Sequence, residues 1–187
     1  FKKLGIDVVI GEAIFSSKCS IKIEDTEYHY KTAVIATGSS PRMIEVPGLS
    51  ETEILTNQNL FELETAPEKT LIIGSGAIGL EMGQALSMLG SKVTLASIDS
   101  EFAQQEDEAI RPILKKTFDE KGIVTHLQAF INRVEGNVAI FDIKNGDKIV
   151  HEERVTFDKV LLAIGRTPNL PTGLNTAKIN HDNKCIL

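Results

Sequence analysis

Tryptophan is missing from the 187 residues, and there are only two cysteines, Cys19 and Cys185. Two thiols that far apart form neither a paired metal-ligand motif nor a redox pair, so the chain is expected to carry two isolated, reduced thiols of a cytoplasmic protein. Basic residues are outnumbered: 20 Lys and Arg against 26 Asp and Glu give a formal charge of -6. Binding to nucleic-acid backbones needs a concentrated basic surface, so nucleic acid is not an expected partner. No apolar run approaches the roughly 18 residues of a membrane span, and the start "FKKLGIDVVI" has no long apolar core of a secretion signal. The first residue is not methionine, and the chain reads as a segment of a longer protein. The four histidines, His29, His126, His151 and His181, are scattered and form no ligand spacing. No metal site is expected.

What the sequence does contain is punctuation. Hydrophobic residues make up 42% and charged residues 25%, which is the balance of a folded globular chain. Alternation of apolar and polar residues predicts short antiparallel strands at 7–10 and 20–30, with a break at 24–26. The run Ala33–Thr37 is almost wholly apolar and predicts an interior strand covered on both faces. Residues 41–69 hold three prolines and a glycine and read as a connection, with one short helix near 59–63.

A βαβ pattern follows. Leu71–Ile73 is an apolar strand and Gly74–Gly79 a turn; Ile78, Met82, Leu86 and Leu89 then recur at helical spacing until Gly90. Residues 93–96 make the next strand. A second helix places Ile110, Ile113, Leu114 and Phe118 on one face, tolerates Pro112 near its first turn and stops at Gly122. Residues 123–127 form a third parallel strand. From Ile131 to Phe157 the period becomes two, with turns at 135–137 and at Asn145-Gly146, a pair in which both residues accept positive φ. This predicts a β-meander. Residues 160–164 return to buried strand.

In "LIIGSGAIGLE" the glycines stand between strand and helix. Gly74 suits the tight turn, Gly76 lets backbone approach a pyrophosphate, and Gly79 lets the helix pack on the strand. Unpaired N–H groups at the helix start then face the phosphates. An acid that holds the adenosine ribose belongs roughly 20 residues further on. That place falls at Ser97, with Asp99 two residues beyond, so discrimination between cofactors is expected to be modest. No arginine lies between Arg42 and Arg111 to clamp a 2′-phosphate, which favours NAD(H) over NADP(H).

The stretch "AVIATGSSP" also returns as "VLLAIGRTP". Together "ATGSSP" (36–41), "GSGAIGLEMG" (74–83), "LGSKVTL" (89–95) and "AIGRTPN" (163–169) resemble the pyridine nucleotide-disulfide oxidoreductases, the two-dinucleotide flavoprotein reductases. The resemblance implies an α/β fold: a Rossmann-like NAD(P)-binding domain with parallel sheet and β-meander, inserted in an incomplete FAD-binding domain. It implies a first FAD-domain segment at 1–57, a linker at 58–69, the NAD(P) domain at 70–166 and a return segment at 167–187. It assigns Gly74, Ser75, Gly76, Ala77, Ile78 and Gly79 to the cofactor loop and Glu81 to the nicotinamide-flavin region. Ser97 and Ile131 fall at the adenosine half, and Gly165 lies near the nicotinamide. Ala13, Thr37, Gly38 and Ser39 fall to FAD.

The parent implied is an FAD-dependent enzyme passing hydride between NAD(H) and a redox disulfide through flavin. It would be a cytoplasmic homodimer joined by a C-terminal domain that is not in these residues. The motif "GLEMG" leans towards dihydrolipoamide dehydrogenase; mercuric and glutathione-type NADPH reductases are the alternatives, and a non-catalytic dinucleotide sensor is a third. The family's redox disulfide and acid-base histidine have no counterpart in the chain, so it carries no catalytic residue of its own.

Overall fold

The computed structural model describes residues 2–182 and 185–186. The chain divides into two compact units, Phe1–Ser40 with Thr167–Leu187, and Pro41–Arg166. In the smaller unit β1 (Ala13–Ser17), β2 (Ser20–Ile23) and β3 (Thr26–His29) form an antiparallel sheet in chain order. Its core is small: Phe15, Leu174 and Ala177 are buried, and Tyr30 stands edge-on to Phe15. The Phe15 N–H donates to the Thr172 carbonyl at 3.0 Å, tying the returning chain to β1.

Two expected strands of this unit are not strands. Residues 7–10 and Ala33–Thr37 lie outside every ladder among the described residues, and Val34 is 90% exposed. An apolar run suited to burial on both faces becomes a strand only where neighbours hydrogen-bond to it. Among the described residues no strand ladder forms here. Residues 183, 184 and 187 of the expected return segment lie outside the described residues.

Short strands β4 (Ser39–Pro41) and β13 (Arg166–Pro168) mark the two passages between units. The larger unit contains β5 (Ile54–Leu55), β6 (Lys69–Ile73), α1 (Ala77–Met88), β7 (Lys92–Ala96), α2 (Arg111–Glu120), β8 (Val124–His126), β9 (Ala129–Glu135), β10 (Val138–Asn145), β11 (Lys148–Thr156) and β12 (Lys159–Leu162). Strands β5, β12, β6, β7 and β8 form a parallel sheet in that order, while β9, β10 and β11 form the antiparallel meander. Residues 41–57 therefore belong to this unit's contacts, because Ile54 and Leu55 pair with Val160 and Leu161. The expected helix near 59–63 is a single 3-10 turn, Leu60–Glu62.

The period of two explains both layers around the sheet. Along β6, Leu71 and Ile73 point into one core while Ile72 points into the other; along β12, Val160 and Leu162 share the first and Leu161 the second. The first core is closed by Phe141, Val155 and Phe157 of the meander and its end. The second is closed by Leu80 and Leu86 of α1 and Phe118 of α2, with Phe102 stacked edge-on against Phe118. Strands covered on both sides must be apolar throughout, which is why β6 and β12 read as unbroken runs. Both helices end alike: Ser91 N–H reaches the Leu86 carbonyl and Ile123 N–H the Phe118 carbonyl, the wrap-back that Gly90 and Gly122 permit.

The second meander turn is displaced by one residue from the expected Asn145-Gly146 pair. Asn145 pairs with Lys148, so the loop is Gly146-Asp147, and Gly146 has positive φ while Asn145 does not. Glycine takes the first place of the loop, one of the two favoured hairpin classes. The exposed face of the meander carries an ion-pair cluster in which the Arg133 hydrogen bond, ahead of Arg154, holds the Glu135 carboxyl below its ordinary range. Such exposed pairs add little stability. Among the described residues no helix is long and apolar enough to cross a membrane.

Phe141 is fully buried between sheet and meander. Phe141→Ala is expected to cost about 3–5 kcal/mol of unfolding free energy in urea denaturation. Ile149→Ala, at a side chain 58% exposed, should stay within about 0.5 kcal/mol.

Candidate dinucleotide site

The site forms where β6, flanked by β12 and β7, ends at the glycine-rich turn. A cleft of about 570 Å³ opens there, floored by 73–78, with Ser97, Ile98 and Asp99 on the β7 side and Ala163, Ile164 and Gly165 on the β12 side. In parallel α/β sheets the carboxyl ends of the strands are where ligands bind.

The three glycines do different work. Gly74 has φ of 111° and donates its N–H to the Ala96 carbonyl at 2.8 Å; a Cβ on it would strike the Ala163 carbonyl. A Cβ on Gly79 would strike the Gly74 carbonyl and press on the Ala163 methyl. Both are needed to close the turn upon itself and upon β12. Gly76 differs. Its φ of -77° suits any residue, and a Cβ there would meet nothing within 4 Å. The protein itself makes no demand for glycine at this position, so the space beside it is left for something else.

Gly76 is also the N-cap of α1. Leu80 N–H makes the first intrahelical bond, to the Gly76 carbonyl at 3.0 Å, so the N–H groups of Ala77, Ile78 and Gly79 precede the helical ladder. No side chain caps this end and no acidic residue sits in the first turn. The positive end of the helix therefore faces the cleft without an internal counter-charge.

On the β7 side, Ser75 and Ser97 are both 3% exposed. Their hydroxyls each lie 2.7 Å from Asp99 Oδ2, and Ser75 Oγ is 3.1 Å from Ser97 Oγ. Ser97 is thus turned inward, towards protein. The chain after β7 folds back so that Asp99 lines the cleft half-buried. Ile131 lines the floor beside Ala129 while packing on the meander core. On the β12 side the Gly165 carbonyl accepts the Arg42 N–H at 3.0 Å.

Glu81 stands apart from the residues of the turn. It is the fifth residue of α1, beyond the first turn where the dipole acts; it is exposed, outside the cleft lining, and without hydrogen bond or ion pair among the described residues. Residues that sequence reasoning passed over also line the cleft: Arg42, and Gln105 from the loop after β7. Neither stands in a periodic or glycine-based pattern, so nothing marked them. Asp99 carried a signal, a carboxylate close to the expected ribose position. Among the described residues no His, Cys, Asp and Glu cluster could hold a metal ion.

In the smaller unit Ala13 and Thr37 line a separate cleft of about 640 Å³. The echoed motifs meet there through Asn169. Its N–H donates to the Gly38 carbonyl at 2.9 Å, its Nδ2 to the Thr37 carbonyl at 3.1 Å, and its Oδ1 accepts from Ser40 Oγ at 2.8 Å. The Thr37 hydroxyl donates to the Asn169 carbonyl. Ser39 opens β4 beside them. The asparagine closing "AIGRTPN" is therefore the residue that ties the second motif to "ATGSS".

The family model described as pyridine nucleotide-disulphide oxidoreductase matches residues 1–186. A mercuric reductase from Staphylococcus aureus is 32% identical over 174 residues, 91% of this chain and 31% of the relative. A dihydrolipoyl dehydrogenase from Buchnera aphidicola is 34% identical over 175 residues, 90% of this chain and 36% of the relative. Among solved structures, the HOCl-induced flavoprotein disulfide reductase RclA from Escherichia coli superposes with a TM-score of 0.82 at 26% identity, covering 96% of this chain and 41% of RclA. The chain thus spans about a third of the length of these curated relatives. Matched along nearly all its residues in motif order, family model and fold, it belongs to the pyridine nucleotide-disulphide oxidoreductase family.

Proposed function

We propose that this chain is the nicotinamide-dinucleotide-binding part of an FAD-dependent disulfide reductase. The observation that carries the reading is the uncapped start of α1 beneath Gly76, where donors, positive dipole and vacant Cβ space coincide at the ends of three parallel strands. An extended dianion such as a pyrophosphate suits that combination. The backbone N–H groups of Ala77, Ile78 and Gly79 bind it, with Ser75 and Gly76 forming the cradle. The adenosine half lies on the β7 side against Ser97, Ile98 and Ile131, and the nicotinamide half extends towards Gly165. Bound there, the nicotinamide supplies hydride chemistry, and the protein contributes position and electrostatics.

In the parent protein, Ala13, Thr37, Gly38 and Ser39 border the flavin, with Asn169 fixing the Thr37–Gly38 backbone. Glu81, exposed and unpartnered among the described residues, is the residue that the family motif assigns to the nicotinamide-flavin region. NAD(H) is favoured over NADP(H), since Arg42 is the one base lining the cleft among the described residues and its main chain is bonded to Gly165 on the β12 side, while the β7 side carries Asp99. The parent is a cytoplasmic homodimer whose flavin passes electrons to a disulfide. Relatives named mercuric reductase and dihydrolipoyl dehydrogenase match almost equally, so the assignment rests at disulfide reductase.

Gly76→Val is expected to weaken NADH binding at least about tenfold by filling the phosphate approach, while the lost glycine cap costs no more than about 1 kcal/mol of stability. Gly74→Ala is expected to do the reverse in kind, lowering stability by about 1–3 kcal/mol through strain at positive φ and collision with Ala163. Calorimetric titration and thermal melts of the two variants separate these effects. Unchanged NADH affinity in Gly76→Val rejects the site.

The chain contains one glycine-rich phosphate turn, so purified protein is expected to bind NADH without carrying stoichiometric flavin. Absorbance near the flavin band after purification checks this, and yellow protein contradicts it.

A further inference from the structure

We infer that Asp99, not the strand-end residue 97, is the group that reads the adenosine ribose and excludes a 2′-phosphate. The inference rests on the dinucleotide reading above and goes beyond it by assigning cofactor choice to one side chain outside the expected position.

Each serine hydroxyl has one proton. The 2.7 Å contacts direct both protons to Asp99 Oδ2, which leaves Ser97 Oγ free to accept the Asp99 N–H at 3.2 Å. Oδ2 is therefore occupied by protein donors. Oδ1 has no protein donor among the described residues, and the carboxylate lines the cleft. A carboxylate accepts at about four positions, so the free oxygen offers acceptor sites to the hydroxyls of a vicinal diol. A ribose bearing a 2′-phosphate presents like charge to the same oxygen. Half-burial makes that repulsion stronger than at an exposed carboxylate.

The carboxylate is also held in place before any ligand arrives. The Asp99 backbone carbonyl accepts the Gln128 N–H at 2.9 Å, and the Ser97 backbone is pinned between the His126 carbonyl at 2.9 Å and the Ala129 N–H at 2.8 Å. Beyond Asp99 the loop is clasped by Arg111, whose guanidinium reaches the Glu101 carboxylate at 2.6 Å and the carbonyls of Gln104 at 2.8 Å and Glu106 at 2.9 Å. Phe102 anchors it in the core. Little ordering is left to be done on binding. Ser75 belongs to the glycine-rich turn, so its hydroxyl links the ribose acceptor directly to the phosphate cradle.

The two ends of the cleft differ in charge accordingly. Strands β12 and β7 flank β6 on opposite sides, which separates their ends by about 10 Å at the usual strand spacing. The main chain of Arg42, the one base in the cleft lining among the described residues, is bonded through its N–H to the Gly165 carbonyl at the β12 end, whereas the β7 end presents the Asp99 carboxylate.

The test is paired calorimetric titration of NADH and NADPH into the 187-residue protein and its Asp99→Asn variant, which keeps shape and removes charge. The wild type is expected to prefer NADH at least about tenfold, the scale of one charge-assisted hydrogen bond. In Asp99→Asn the NADH/NADPH affinity ratio should fall at least about tenfold, with NADH weakened and NADPH improved. Because the ratio is taken within one protein sample, partial unfolding cancels. A ratio in Asp99→Asn equal to that of wild type overturns the inference while leaving dinucleotide binding intact. Binding of neither nucleotide to the wild type overturns the dinucleotide reading itself.

Discussion

The larger unit depends on one close approach, backbone against backbone, between Gly74 and Ala163. A strand that ends a few ångströms from its parallel neighbour, turns, and starts a helix has no room for a side chain at the bend. Removing the Cβ at Gly74 and again at Gly79 lets the turn fold onto itself and onto β12. The direction of α1 follows, and with it the aim of its first N–H groups into the cleft. The cores on the two sheet faces then hold this arrangement: Leu71 and Ile73 lock the strand to the meander, and Ile72 locks it to the helices.

Much of this was legible because it is periodic. The helical spacing from Ile78 to Leu89, the paired glycine stops and the change to alternation after Ile131 each follow from local geometry, and the elements formed where those patterns lie. Ala33–Thr37 was not legible in the same sense. Its composition states that it can be buried on both faces, but pairing is a property of neighbours, and Val34 stands in the open when no described strand adjoins it. The Asn145-Gly146 turn shows a smaller version of the same limit. The dipeptide identified the hairpin, whereas the register that made Gly146-Asp147 the loop came from an irregularity between Ile143 and Lys144.

The candidate site divides along the same line. The glycine spacing pointed to the turn, and geometry sorted the three positions into two that serve the fold and one that does not. The ribose end was obscured because sequence distance counts residues along a strand and says nothing about where the following loop travels. At position 97 a buried serine faces inward, while the carboxylate arrives from position 99 after the chain has doubled back and bonded to Gln128. A large residue at position 97 would test packing before it tested recognition, since Ser97 is enclosed on all sides. Asn169 had no meaning within its own motif; its role emerges only when the first motif lies beside it.

The strict alternation along β6 and β12 bears on how the chain can change in length. One residue added between Lys69 and Ile73 would send every later side chain of that strand to the opposite layer, exchanging the partners of the meander for those of the helices. Gains and losses of residues are therefore confined to places where no face is being counted. The exposed loops at 136–137 and 146–147 are such places; they lie at opposite ends of the antiparallel meander strands, remote in sequence from the glycine turn. Related chains can vary there, and a reporter peptide can be carried there, without the sheet registering the difference.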